Sequence, residues 1–283
     1  MDNISMIYVR TNFLPPSDEG LPAFRSLGPR LDRGGGRENL KNNDRGEKMQ
    51  LDDTRTRALL GEDGVNRLKN SHVAVFGLGG VGGHLSEALA RAGVGELTVI
   101  DGDTVSPSNV NRQIIATQHT VGRPKAEVMA ERILSINPEC KVHPINLFYL
   151  PENADEIDLS QFDFIADAVD TVAAKVELIC RADAAGVPVI ASMGAGNKLY
   201  PERFRISDIS KTSVCPLAKI MRKKMKEKGI KKLDVVWSDE EPIKAQGLES
   251  ENGRSTPGSL SFVPGAVGLI MAGHIIRKLS RFA

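Results

Sequence analysis

The stretch VAVFGLGGVGGHLSEALARAGVGELTVID, residues 73–101, decides the fold. Residues 73–76 are a short apolar run ending in glycine, the pattern of a strand buried on both faces of a parallel sheet. Gly77-x-Gly79-x-x-Gly82 follows. Over residues 84–92 the apolar side chains Leu85, Ala88, Leu89 and Ala92 recur at helical spacing, and Gly93 and Gly95 end the helix they predict. Residues 97–100 read as a second strand with Asp101 at its carboxyl end. Strand, glycine-rich turn, helix, strand and acid compose a dinucleotide-binding βαβ unit. In such a unit Gly77 permits the tight turn and Gly79 lets phosphate approach the backbone. Gly82, or Gly83 beside it, lets the helix pack close to the strand. The helix start adds partial positive charge for an anion.

Working outward, a short helix over 61–70 precedes this unit, with Val65 and Leu68 on one face. A helix over 125–136 turns Val128, Met129, Ile133 and Ile136 inward and stops at Asn137-Pro138. Residues 140–145 and 164–168 read as strands, 171–185 as a helix and 187–191 as a fifth strand. This alternation predicts an α/β fold, a Rossmann-like, doubly wound and mainly parallel sheet. Beyond residue 200 comes a smaller α+β extension. It holds a strand over 204–209, a basic helix over 217–232, a strand over 233–238, a polar loop over 249–258 and a closing helix over 267–279. The expected organisation is a nucleotide-binding domain over 49–200 completed by a substrate-binding extension over 201–283. Residues 1–48, with Pro15-Pro16 and three consecutive glycines at 34–36, lack any lasting period and are expected to be a disordered or non-native leader. Arg45-Gly46-Glu47-Lys48 can be encoded by a purine-rich run resembling a ribosome-binding site, which makes Met49 a candidate start.

The 283 residues carry a net charge of +1, so no global field argues for nucleic acid, and any such contact must come from a local patch. Cys140, Cys180 and Cys215 are isolated, with no C-x-x-C pair, which excludes a zinc ribbon and a disulfide scaffold and fits a reducing cytoplasm. The longest apolar run, 262–276, contains Pro264, Gly265, Gly268 and Gly273 and is shorter than the ~20 residues of a spanning helix. Neither a membrane span nor a secretory signal is expected.

After Asp101 the sequence departs from a nicotinamide site. Ser108-Asn109-Val110-Asn111-Arg112-Gln113 brings a cation among amides, and Lys125 brings another. Both follow strands, in segments that gather at the carboxyl edge of such a sheet. Two cations near a nucleotide suggest a triphosphate. Lys125 opens a helix, where the dipole disfavours it, so a placement there needs a functional reason. Asp101 is placed to bind ribose hydroxyls, with Asp103 its nearby competitor. Asp170 either holds Mg²⁺ between phosphates or caps the following helix, and Asp167 is a weaker alternative ligand.

Taken together, Gly77-x-Gly79-Gly80-Val81-Gly82, Asp101-Gly-Asp103, Asn109-Val-Asn111-Arg112-Gln113, Lys125 and Asp170 resemble the adenylating enzymes of the ubiquitin-activating superfamily. The resemblance implies an ATP site. Gly77, Gly79, Gly80 and Gly82 line the phosphates, Asp101 with Asp103 binds ribose, and Asn109 assists. Arg112 and Lys125 hold phosphates, and Asp170 holds Mg²⁺; these last three would be catalytic. It also implies a homodimer in which an arginine before the first strand reaches the partner's ATP, Arg55 first and Arg57 second.

The sulfur-carrier activators of that superfamily carry paired C-x-x-C motifs, which this chain lacks. Residues 206–242 and 258–273 are instead similar to the tRNA threonylcarbamoyladenosine dehydratases. That similarity implies ATP-dependent cyclisation of threonylcarbamoyladenosine in tRNA through a carboxyl-adenylate, with AMP and pyrophosphate released. The alternative is activation of a ubiquitin-like or sulfur-carrier protein. The cations Lys219, Arg222, Lys223, Lys224 and Lys226 then read as a tRNA-binding face, against a merely solvated helix. Cys215 is either a thioester carrier or a structural thiol, and ring closure needs no thioester, which favours the latter. A sulfur-transfer partner belongs to the same set of expectations.

Overall fold

The computed structural model describes residues 50–244, 250–251, 254–255 and 257–281. The expectations for residues 1–48 and for Met49 fall outside these residues. One seven-stranded sheet organises the described chain, in the order β3-β2-β1-β4-β5-β7-β6. Its strands are β1 (His72–Phe76), β2 (Glu96–Ile100), β3 (Lys141–Ile145), β4 (Phe164–Asp167), β5 (Val189–Ser192), β6 (Phe204–Asp208) and β7 (Asp234–Ser238). All neighbours are parallel except β6, which runs antiparallel to β7. The strands of the predicted extension thus continue the nucleotide-binding sheet itself.

The central strand shows why the apolar run folds this way. Val73 and Val75 enter one core with Leu85, Leu89, Met129 and Met271. Ala74 and Phe76 enter the other with Ile165, Leu178 and Tyr149. Every second side chain changes face, so a strand covered on both sides must be apolar throughout. Helices α2 (Gly80–Arg91), α3 (Lys125–Ile136) and α6 (Val263–Ser280) cover the first face, and α4 (Val172–Ala185) the second. Helix α5 (Pro216–Glu227) seals a third cluster through Ala218, Met221 and Met225.

Several boundaries differ from expectation for local reasons. Helix α1 spans Thr54–Lys69, and the predicted helix is only its second half, because Gly61 at φ 70° breaks it. Helix α5 stops at Glu227, where Gly229 at φ 75° turns the chain, so Lys231 and Lys232 lie beyond it. Helix α6 begins at Val263, four residues before the predicted start of 267. Pro264 sits in its first turn, where a missing N–H costs nothing. Gly268 faces α2 so closely that a Cβ there would collide with the Val81 carbonyl oxygen. Gly268 is therefore a contact residue between the two helices. Within the predicted polar loop, β8 (Ser250–Glu251) and β9 (Arg254–Ser255) form a short hairpin.

Candidate active site

A cleft of about 1130 Å³ opens at the carboxyl ends of the parallel strands. It lies where the strand order reverses between β1 and β4, the switch point at which open α/β sheets bind ligands. Its floor is the turn from β1 to α2. Gly77 holds φ 86°, and a Cβ on it would lie 2.7 Å from the Ala168 carbonyl oxygen. Around Gly79 the nearest atom to such a Cβ is Gln113 Nε2 at 3.8 Å, so this side of the turn is open. Gly79 is also the N-cap of α2 and offers no side chain to its first amides. Those donors are left without a side-chain acceptor, the arrangement that anion binding at a helix start requires.

Asp101 holds the turn in place. Its Oδ2 accepts from the Leu78 amide at 2.6 Å and its Oδ1 from the Asp103 amide at 2.9 Å. Burial pushes its carboxyl pKa up, against the opposing pull of Lys125. Lys125 is buried, 2.7 Å from Asp103 Oδ2 and 4.0 Å from Asp101 Oδ1. Two carboxylates thus offset the unfavourable helix dipole at the start of α3. Asp103 turns its carboxylate to Lys125, which makes it the anchor of that cation.

Arg112 lines the cleft half-buried, its Nη1 donating to Ser108 O at 2.9 Å and Asn111 Oδ1 at 2.8 Å. Asn109 is buried and reaches the cleft, but its Oδ1 accepts from the Ser106 amide and shapes the loop. Asn111 ties that loop to the segment before α6 by donating to Ser259 O at 3.1 Å. Gln113 is buried beside Gly79, and its Oε1 finds no partner among the described residues. It stands in the quoted motif, but only the fold reveals its orphaned oxygen.

The two aspartates at and after the end of β4 separate clearly. Asp170 is exposed in the cleft and accepts from Thr171 Oγ1 at 3.3 Å. The N-cap of α4 is Thr171, so the capping alternative for Asp170 fails. Asp167 is fully buried and pairs with the fully buried Lys175 at 2.9 Å. It is therefore no metal ligand in the cleft; it also accepts from the Val169 amide and props the turn that carries Asp170.

Phe148 and Tyr149, in the irregular segment after β3, form an apolar wall of the cleft. The Phe148 ring packs over Gly102, and Tyr149 meets Phe76 edge-on at 5.0 Å. No periodicity announces this segment, so sequence reasoning passed over both. Arg55 and Arg57 do not line the cleft. Arg57 is held by Asp53 at 2.9 Å and by Glu62, whereas Arg55 is exposed on α1.

On α5, Lys219, Lys223, Lys224 and Lys226 are exposed opposite the buried Ala218, Met221 and Met225. Arg222 departs from the expected basic face, because its Nη1 folds back to donate to Thr212 O at 2.6 Å. Cys215 is buried at the N-cap of α5, within the cluster that α5 seals, where an acyl transfer partner has no access.

Comparison with known proteins agrees with this geometry. Residues 53–283 match the ThiF family model. The chain is 44% identical over 237 residues to tRNA threonylcarbamoyladenosine dehydratase of Bacillus subtilis, covering 80% of this chain and 93% of that protein. It is 34% identical over 245 residues to the Escherichia coli enzyme of the same name, covering 79% and 91%. The crystal structure of that E. coli enzyme with AMP superposes with a TM-score of 0.74 at 33% identity, over 83% of this chain and 98% of the other. Its complex with ATP gives 0.72 at 32% identity, over 82% and 98%. The chain belongs to the ThiF family, in the group formed by the tRNA threonylcarbamoyladenosine dehydratases.

Proposed function

We propose that this chain is an ATP-dependent tRNA threonylcarbamoyladenosine dehydratase acting through a carboxyl-adenylate. The observation that carries the reading is convergence in one cleft. An open helix N-terminus at Gly79 and Gly80, the cations Arg112 and Lys125 and the uncapped carboxylate of Asp170 all line it. Asp101 binds the ribose hydroxyls, and Phe148 and Tyr149 flank the base. The phosphates lie over the first amides of α2, toward Arg112 and Lys125. Asp170, exposed in the cleft beside them, would hold Mg²⁺. When bound, that ion neutralises phosphate charge.

The reaction then follows from carboxylate chemistry. A substrate carboxylate oxygen attacks the α-phosphorus, and the bond from that phosphorus to pyrophosphate breaks. Arg112 stabilises the charge that gathers on the leaving group. A nitrogen of the same substituent attacks the activated carbonyl, loses its proton and expels AMP. Proximity replaces an external nucleophile, so no cysteine is needed. The nucleoside loses one water, whose oxygen leaves in AMP.

The division of labour assigns residues 49–200 to adenylation and 201–283 to tRNA binding and to completing the fold, with Pro264 reaching the cleft. Lys219, Lys223, Lys224 and Lys226 meet the tRNA phosphates. Arg55 serves the neighbouring subunit's ATP in a homodimer. No helix among the described residues is long and apolar enough to cross a membrane, and the free thiols suit the cytoplasm. Burial pushes the Cys140 thiol up to about 12 and raises that of Cys180, so neither is an activated nucleophile.

The test is substrate-dependent AMP formation. With ATP, Mg²⁺ and threonylcarbamoylated tRNA the protein should release AMP and pyrophosphate, and with unmodified tRNA neither. Pyrophosphate exchange driven by a small carrier protein, with none driven by the modified tRNA, would favour the carrier-activating alternative instead.

A further inference from the structure

We propose that His72, Glu96 and His143 form a binding site for a zinc-class divalent metal ion at the end of the sheet opposite the cleft. His72 and Glu96 are register partners at the starts of β1 and β2, and His143 on β3 is the partner of Thr98. Ladder partners, and residues two apart on a strand, share a face. All four side chains therefore project from one side of three adjacent strands.

The donor atoms already converge. His143 Nε2 lies 2.9 Å from Glu96 Oε1, and His72 Nδ1 lies 3.8 Å from the same oxygen. One ligand atom from each residue falls within 4.8 Å of the others. Bonds of about 2.0–2.1 Å to a tetrahedral zinc ion place donors roughly 3.3 Å apart. Small side-chain rotations at the half-exposed His143 reach that spacing. Two imidazoles and a carboxylate make a donor set suited to Zn²⁺ and its neighbours.

A supporting shell orients the most buried ligand. Thr98 is buried, and its Oγ1 lies 2.8 Å from His72 Nε2. With Nε2–H donating to that hydroxyl, the Nδ1 lone pair faces Glu96. This is the arrangement by which neighbouring hydrogen bonds fix a metal-binding tautomer. Phe162 packs edge-on against the same ring at 4.8 Å. The competing cation, Lys141, stands 3.9 Å from the second Glu96 oxygen and is 75% exposed, so it withdraws into water readily.

The site lies among the amino-terminal residues of the strands, away from the reaction, so its effect is structural. It clips β3, an edge strand interrupted by Pro144, to β1 and β2. Proline gives that strand one ladder donor fewer.

The test uses the full chain stripped by a chelator, titrated with Zn²⁺ by equilibrium dialysis and with Co²⁺ by absorption. One ion should bind per chain with a rise in Tm. At free Zn²⁺ of about 100 times Kd the folded-to-unfolded ratio should rise ~100-fold. The Co²⁺ complex should show tetrahedral d–d bands without a thiolate charge-transfer band. His143→Ala and Glu96→Gln, both at accessible positions, should keep the metal-free Tm and each lower affinity at least about tenfold, the loss typical when a site's own shell is broken. Affinity unchanged in either variant, absence of saturable binding, or a thiolate band would overturn the site.

Discussion

Arg112 is the residue on which the proposed chemistry turns, and its own contacts make it testable. Among the described residues its side chain is held by Ser108 O and Asn111, on a loop at the cleft, so removing it leaves the core untouched. Deleting one preorganised donor to developing charge costs about 10²–10³ in rate. Arg112→Ala should therefore lower kcat for dehydration by roughly that factor at an almost unchanged Tm, measured by AMP release and thermal unfolding. Asp101 sets a pH dependence. Its carboxyl pKa is raised by burial, and the proposed ribose contact requires the ionised form. ATP affinity should fall as the pH is lowered toward that raised value, earlier than for an ordinary aspartate. Asp101→Asn should bind weakly at all pH and lose this dependence, as followed by nucleotide titration. That these residues would share one cleft was legible because glycines, an acid after a strand and a cation among amides each have a chemical reason to stand there. Gln113 and the Asp167–Lys175 pair were not. Their part depends on burial, which a single side chain does not announce.

At the scale of elements, two helices carry distinct predictions. Helix α6 lies against the start of α2 through Gly268, close to the Val81 carbonyl and the Leu85 amide. Gly268→Ala overpacks that contact and should cost about 1–3 kcal/mol in urea unfolding. It should also raise the KM for ATP by displacing the start of α2. Helix α5 separates charge from scaffold. Lys219→Glu, Lys223→Glu and Lys226→Glu combined should raise the KM for tRNA and flatten its salt dependence, by about 0.7–0.9 in log–log slope for each phosphate no longer neutralised. Arg222→Ala should instead lower Tm with the salt slope kept, because that guanidinium braces Thr212. An equal fall of slope in both would contradict the assignment. The sequence pattern placed α5 and α6 correctly in kind. It misplaced their ends, since the expected closing helix began after Pro264 and Gly265, and the lysine run continued past the turn at Gly229.

Across the whole molecule, the cleft gathers residues from segments nearly two hundred positions apart, from Gly77 to Pro264. The parallel sheet explains how. Strand alternation was readable from residues 73–191, and its carboxyl edge collects every following loop. The apolar wall at Phe148 and Tyr149 was hidden because it belongs to an irregular stretch whose only order is tertiary. The addition of β7 and β6 to the same sheet was hidden too, since pairing partners are not written in either strand alone. What the assembled site offers is activation of a carboxylate by transfer of AMP. The most direct test is to label the threonine carboxylate of threonylcarbamoylated tRNA with oxygen-18, react it with ATP and the protein, and weigh the products. Carboxyl-adenylation predicts a nucleoside lighter by one labelled water, with one label in AMP and none in pyrophosphate. Label in inorganic phosphate with ADP as coproduct would mean attack at the γ-phosphorus and would contradict the account.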